Sequence, residues 1–211
     1  MKHWVFDLDG TLVDSFGPYF DYVGGLIARP LSLEERHAAV SHSPVDFIGR
    51  YLPAERVSSA IETLRAESRR HAEGIRAFEH VEDSLEQLRA SGAKCVVWTN
   101  RDLASAERIL EITGLRAHFG VVLSGECAPR KPQTPGFERL RAHFGCRHDE
   151  IRVVGDHDDD MLTAKNSGAR AVRASWHPHW AHPTCSISER QFYSTREFHD
   201  WLRHGVNERT L

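Results

Sequence analysis

The sequence predicts an α/β protein: a doubly wound parallel sheet with helices on both faces, carrying an inserted all-helical segment. Three observations point there. From residue 81 onward, short apolar strands alternate with helices, the rhythm of parallel strands joined by crossover helices. Residues 15–80 contain no clear strand and read as a helical insertion after the first strand. The core strands also end on polar groups, and in such sheets ligands bind outside the carboxyl ends of the strands.

The elements follow in order. HWVFD (3–7) is a short apolar strand ending in an acid, and DGT supplies turn chemistry. Phe16, Phe20, Val23 and Ile27 then recur at helical spacing and form one apolar stripe, with Asp14 or Ser15 as the candidate cap. Pro30, Pro44 and Pro53 break the insertion into pieces, and residues 54–74, rich in Ala, Glu and Arg, read as one long helix. Beyond it come helices at 81–92 and 102–114, with strands at 94–100 and 120–124. A helix at 135–145, a strand at 151–156, a helix at 161–168, a strand at 170–175 and a last helix at 196–204 complete the pattern. Gly92 and Gly168 stand where helices close. The expected division is a core of residues 1–14 and 81–211 with an insertion of residues 15–80.

Composition narrows the function. The chain has 211 residues and a net charge of -3, enough for one core with an inserted subdomain and without the basic excess of a nucleic-acid binder. No apolar run approaches the ~18–20 residues of a membrane span, and the start reaches Asp7 before any signal-peptide core forms. The expectation is a cytoplasmic protein with neither nucleic acid nor membrane as partner, a monomer being favoured and the oligomeric state left open. Cys95, Cys127, Cys146 and Cys185 form no CxxC pair, so neither a zinc ribbon nor a disulfide framework is indicated. Only four of the 27 Lys and Arg residues are lysines, which singles out Lys131 in its loop.

Four separated segments send polar groups to one edge of the sheet: Asp7 and Asp9, then Thr99 and Asn100, then Ser124 and Lys131, then Asp156. Asp156 opens the run DHDDD, in which four carboxylates crowd together. Two unit charges ~4 Å apart at an effective dielectric of ~20 repel by about 4 kcal/mol, so a counter-charge is required. An oxygen-only set of Asp side chains suits a hard cation such as Mg2+, which commonly shares a phosphate oxygen with its substrate. Thr99 offers a hydroxyl and Lys131 a point charge, both suited to phosphate. An Asp carboxylate also serves as a nucleophile, and a second one beside it as acid and base. Asp158 and Asp159 fall in the first turn of a helix, where the dipole favours carboxylates without any catalytic role. A calcium loop is excluded, because Met161 and Ser167 stand where Gly and Glu are needed.

The order and spacing of FDLDGTLVDS (6–15), VVWTN (96–100), RKP (130–132) and VGDHDDD (154–160) resemble the haloacid dehalogenase superfamily, and within it the phosphoglycolate phosphatase-like members with a helical cap. The resemblance implies a Rossmann-like core, with residues 15–80 as the cap. It implies Asp7 as nucleophile and Asp9 as general acid and base. Thr99, Asn100 and Lys131 would hold the phosphoryl group. Asp7, the backbone carbonyl of Asp9, and Asp156 would ligate Mg2+, with Thr11 and Asp160 in support. An Asp at position 9 matches the phosphatases and phosphomutases of the superfamily rather than its dehalogenases or ion pumps. The implied activity is hydrolysis of a small phosphorylated metabolite through an aspartyl phosphate. A phosphomutase using the same Asp pair is the first alternative, and a non-catalytic receiver-like signalling domain the second. Glu79-His80 departs from the Pro-Gly common before the helix that follows the cap, and His157 from the usual Ser or Thr.

Two further stretches invite a role. His177, His179, His182 and Cys185 offer metal-ligand chemistry without clear ligand spacing. Arg50 or the turn SHSPVD (41–46) is a candidate for substrate contact from the cap.

Overall fold

A computed structural model of the protein describes residues 3–70, 72–177 and 184–204. Strand β1 (His3–Phe6) lies at the centre of a six-stranded sheet. A two-residue strand β2 (Val13–Asp14) leads into four helices, α1 (Phe16–Leu26), α2 (Leu33–Ser41), α3 (Pro44–Ile48) and α4 (Ala54–Arg70). The chain returns through β3 (Arg76–Ala77) and α5 (Val81–Ala90). Then β4 (Lys94–Trp98), α6 (Leu103–Ile112), β5 (Val122–Leu123), α7 (Pro135–Phe144), β6 (Ile151–Gly155), α8 (Asp158–Ser167), β7 (Arg170–Ala174), β8 (Arg190–Phe192) and α9 (Thr195–Arg203) follow. The sheet order is β5-β4-β1-β6-β7-β8, with every recorded pairing parallel.

Alternation along β1 builds the two faces. Trp4 and Phe6 point into an apolar cluster with Leu85 and Leu88 of α5, Ile109 of α6 and Phe198 of α9. Val5 points the other way, toward Phe137 and Leu140 of α7 and Met161 of α8. Helices therefore cover both faces, as the predicted doubly wound fold requires. Helices α1–α4 have an apolar cluster of their own, including Phe20, Val23, Phe47, Ile61 and Leu64. Of the stripe anticipated from Phe16, Phe20 and Val23 are buried in this cluster, while Phe16 and Ile27 pack against it.

Several local readings change. Residues 76–77 pair antiparallel with β2 (Val13↔Ala77, Asp14↔Arg76), so a small ribbon lies within a stretch that reads as wholly helical. Two residues are too few to show an alternation. Strand β8 carries the polar sequence Arg-Gln-Phe, and such a short edge strand leaves no apolar run to detect. The long helix is described as far as Arg70, and Ala72–Gly74 form a 3-10 turn instead of its continuation. Helix α8 begins three residues earlier than its apolar pattern, because His157 accepts a capping bond from the Asp159 amide while Asp160 accepts from the His157 amide. The ring nitrogen thus does the work of the Ser or Thr hydroxyl it replaces. His80, at the position of the expected Gly, adopts φ 59°. A left-handed conformation costs a non-glycine residue roughly 1–2 kcal/mol, and His80 sits within 3.2 Å of Asp83 there.

Candidate active site

Register sets the site. Phe6 pairs with Val97 on one side and with Val154 on the other. Asp7, Thr99 and Asp156 therefore emerge together where the strands end. The Asp7 amide still bonds the Val154 carbonyl at 2.9 Å, and the Thr99 amide the Leu123 carbonyl at 3.0 Å, so both are held by the ladder. Lys131 arrives from the loop after β5, its backbone N–H donating to Asn100 Oδ1 at 3.1 Å. These groups open onto a cavity of about 490 Å³ between the sheet edge and the inserted helices.

Lys131 Nζ is the centre of the charge arrangement. It donates to Asp7 Oδ1 at 2.5 Å and to Asp160 Oδ1 at 2.6 Å, and all three residues are buried. Asp7, Asp156 and Asp160 bring carboxylate oxygens within 4.8 Å of one another. Burial pushes the Asp7 carboxyl well above its ordinary range, with Lys131 opposing and the neighbouring carboxylates reinforcing the push. Burial, then Asp160, pushes Asp156 up to about 7. Burial alone would lower the Lys131 ammonium, but Asp160 and Asp7 outweigh it and hold it above its ordinary value. An all-oxygen set of crowded carboxylates fits a hard divalent cation. Asp160, expected in a supporting place, lies within this group and accepts from Lys131.

Asp9 faces a different partner. Its carboxylate receives a forked pair of bonds from Arg101, at 2.6 Å from Nη2 and 3.1 Å from Nε, and a further bond from Ser15 Oγ. Burial works to raise this carboxyl, yet Arg101 and Ser15 together hold it below its ordinary value. Ser15 therefore occupies the N-cap position of α1 without making the anticipated cap bond. Arg101 goes unnoticed in the sequence reading. Its place directly after Thr99-Asn100, at a strand end of the same edge, is the signal that would have found it.

Close backbone approach makes room for the carboxylates. Gly10 has φ 81°, and a Cβ there would fall 2.2 Å from Asp156 Oδ2. A Cβ at Gly155 would fall 2.2 Å from Asp160 Cγ. Gly155→Ala is expected to displace Asp160 and lower kcat/KM by about 10–100-fold, the usual cost of disturbing a group that supports a metal ligand. Wild-type kinetics in that variant would show that the position of Asp160 is unimportant.

The remaining candidates separate. Thr11 Oγ1 lies 3.4 Å from Asp156 Oδ1. Asp158 leaves the cluster and pairs with Arg173 at 2.7 Å, while Asp159 stays at the cavity wall. Residues 42–46 line the cavity, but Arg50 stacks over Phe47 instead, 5.7 Å from its ring centre. Arg65 also lines the cavity, as does Arg130, the first residue of the RKP motif. In the suggested histidine cluster, His179 and His182 lie outside the described residues. His177 is buried against Asp14, and Cys185 has a free thiol. Among the described residues, the group able to hold a metal is Asp7, Asp156 and Asp160.

Sheet order defines a class, an α/β protein whose parallel sheet gathers buried charges at its carboxyl edge. Comparison with known proteins makes this particular: the chain belongs to the haloacid dehalogenase-like hydrolase family, which matches residues 4–174. It is 30% identical over 188 residues to a probable phosphatase, IndB, of Dickeya dadantii, spanning 83% of this chain and 81% of that protein. It is 26% identical over 219 positions to a phosphoglycolate phosphatase of Chromobacterium violaceum, spanning 97% and 98%. A solved structure described as a predicted phosphoglycolate phosphatase from Haemophilus somnus shares the fold, with a TM-score of 0.80, 22% identity and coverage of 94% and 96%. Among the described residues, no helix is long and apolar enough to cross a membrane.

Proposed function

We propose that the protein is a Mg2+-dependent phosphatase that hydrolyses a small phosphate monoester through an aspartyl phosphate on Asp7. The observation that carries this reading is the bridge from Lys131 to both Asp7 and Asp160 beside Asp156, which builds an anionic donor set and a cationic phosphate anchor in one place. We take residues 15–80 as a cap that excludes water from the site, and residues 1–14 with 81–211 as the catalytic core.

Asp7, the backbone carbonyl of Asp9, and Asp156 are assigned as ligands, with Asp160 supporting them. A bound Mg2+ would supply positive charge to balance these carboxylates and the phosphate. Asp7 Oδ attacks phosphorus, while the Lys131 ammonium and the Thr99 hydroxyl hold the non-bridging oxygens, with Asn100 fixing the Lys131 loop. Asp9 gives a proton to the leaving alkoxide and later takes one from the water that cleaves the acyl phosphate. Arg101 holds Asp9 ionised, so before the acid step the pair must open and Asp9 must take up a proton from solvent. A substrate anion offers the guanidinium an equivalent forked partner. Most of the catalytic demand is positioning and charge balance, as in phosphoryl transfer generally.

Phosphate release from a panel of small phosphomonoesters tests the reading. Turnover is expected with Mg2+ and its loss in EDTA, with recovery on adding Mg2+ back. Unchanged turnover in EDTA would contradict the metal assignment, and transfer to a second sugar hydroxyl without phosphate release would identify a mutase.

A further inference from the structure

The segment after β7 places one buried ring between the two chain crossings that join the inserted helices to the sheet. His177 packs edge-on against Phe16, which follows β2, with ring centres 5.2 Å apart. It packs edge-on against Phe78, which follows β3, at 5.8 Å. Its Nε2 lies 3.3 Å from Asp14 Oδ1, and its side chain is fully buried. The neighbouring Trp176 donates from Nε1 to the Thr11 carbonyl at 3.1 Å, fastening the same segment to the loop that follows β1.

The crossing and the Asp9 carboxylate meet at the next residue. Ser15 stands between Asp14 and Phe16, the two residues His177 touches on the outgoing crossing, and its hydroxyl donates to Asp9 Oδ1. Rotation of the backbone at 14–16 would move the helices and this hydroxyl together. Hinges absorb motion at a few element-terminal residues, and both crossings run from the ends of the β2–β3 ribbon.

We propose that His177 is a positioning residue that wedges the two crossings and, through Asp14 and Ser15, sets the placement of Asp9 for proton transfer. This rests on the assignment of Asp9 as the group that protonates the leaving oxygen. The His177 Nε2–H donates to the Asp14 carboxylate, the ring resists closure of Phe16 toward Phe78, and the Ser15 hydroxyl stays aimed at Asp9. No contact between His177 and substrate is involved.

The leaving group supplies the test. An alkyl phosphate needs its departing oxygen protonated, whereas p-nitrophenyl phosphate departs without that help, and kcat/KM reports on this first chemical step. The ratio of kcat/KM for glycerol 1-phosphate to that for p-nitrophenyl phosphate would be measured in wild type, Asp9→Asn, His177→Ala, His177→Gln and Asp14→Ala. The ratio is expected to fall steeply in Asp9→Asn and about tenfold in His177→Ala, the lower end of what loss of a supporting contact costs. His177→Gln, which keeps an N–H near the Nε2 position, should recover much of it. Asp14 is partly exposed, so Asp14→Ala keeps the test open should His177→Ala fail to fold, and its ratio should also fall. Equal losses on both esters in His177→Ala and Asp14→Ala would mark a purely structural role and overturn the proposal. A ratio unchanged in Asp9→Asn would remove Asp9 from leaving-group protonation and take the hinge proposal with it. Absence of phosphatase turnover in wild type would instead refute the function itself.

Discussion

Asp7→Asn is expected to abolish turnover while leaving the protein folded. An amide is a poor nucleophile and a poor ligand for a hard cation, and loss of a covalent nucleophile commonly costs on the order of 10⁶ in kcat. The stability side runs the other way. Burial, followed by Asp160 and Asp156, raises the Asp7 carboxyl well above its ordinary value. A carboxyl raised by folding is one whose ionised form the fold disfavours, so at pH 7 the charge on Asp7 works against stability in the metal-free protein. Asn removes that charge and keeps the shape. Thermal unfolding in EDTA should therefore show a Tm at or above wild type, alongside lost phosphate release with Mg2+. Retention of more than about a tenth of kcat would exclude a covalent role for Asp7.

Lys131→Ala should damage both activity and stability. Its ammonium is buried with Asp7 and Asp160 at 2.5 and 2.6 Å. Removing one partner of a buried ion pair leaves the others uncompensated and typically costs about 3–5 kcal/mol. The expected Tm in EDTA is well below wild type, with part of the loss recovered by Mg2+, which supplies charge to the same carboxylates. On the catalytic side, deleting one preorganised donor costs about 10²–10³ in kcat. Lys131→Arg separates the two effects, since it keeps the charge but replaces a compact ammonium with a planar fork. It should fold and still turn over poorly. Wild-type kinetics and stability in Lys131→Ala would reduce Lys131 to a passive loop residue.

Much of the site could be read locally. Asp7 and Asp156 each terminate a short apolar strand, and Thr99 ends a third, so strand period and polar termini place them on one edge before any contact is known. Lys131 stood out by type in a chain that otherwise uses arginine. The same local logic failed where the signal was too short or lay elsewhere in the chain. The β2–β3 ribbon has two residues a side, and β8 is a three-residue polar edge. Asp160 reads from the sequence as a supporting group, but its closeness to the other carboxylates depends on the glycine backbone at 155 that lets it approach.

By itself the sequence determined the alternation of strands and helices, the edge where the acids gather and the kind of chemistry that oxygen donors and a lysine favour. These follow from backbone periodicity and side-chain type, which act over a few residues. Only the tertiary structure decided which charges meet. Lys131 reaches Asp7 across 124 positions, Arg101 reaches Asp9 across 92, and His177 reaches Asp14 across 163. Pairings over such separations are selected by parallel-sheet register and by burial, which desolvates each charge and makes the nearest opposite charge its necessary partner. Periodicity in the sequence carries no record of that choice.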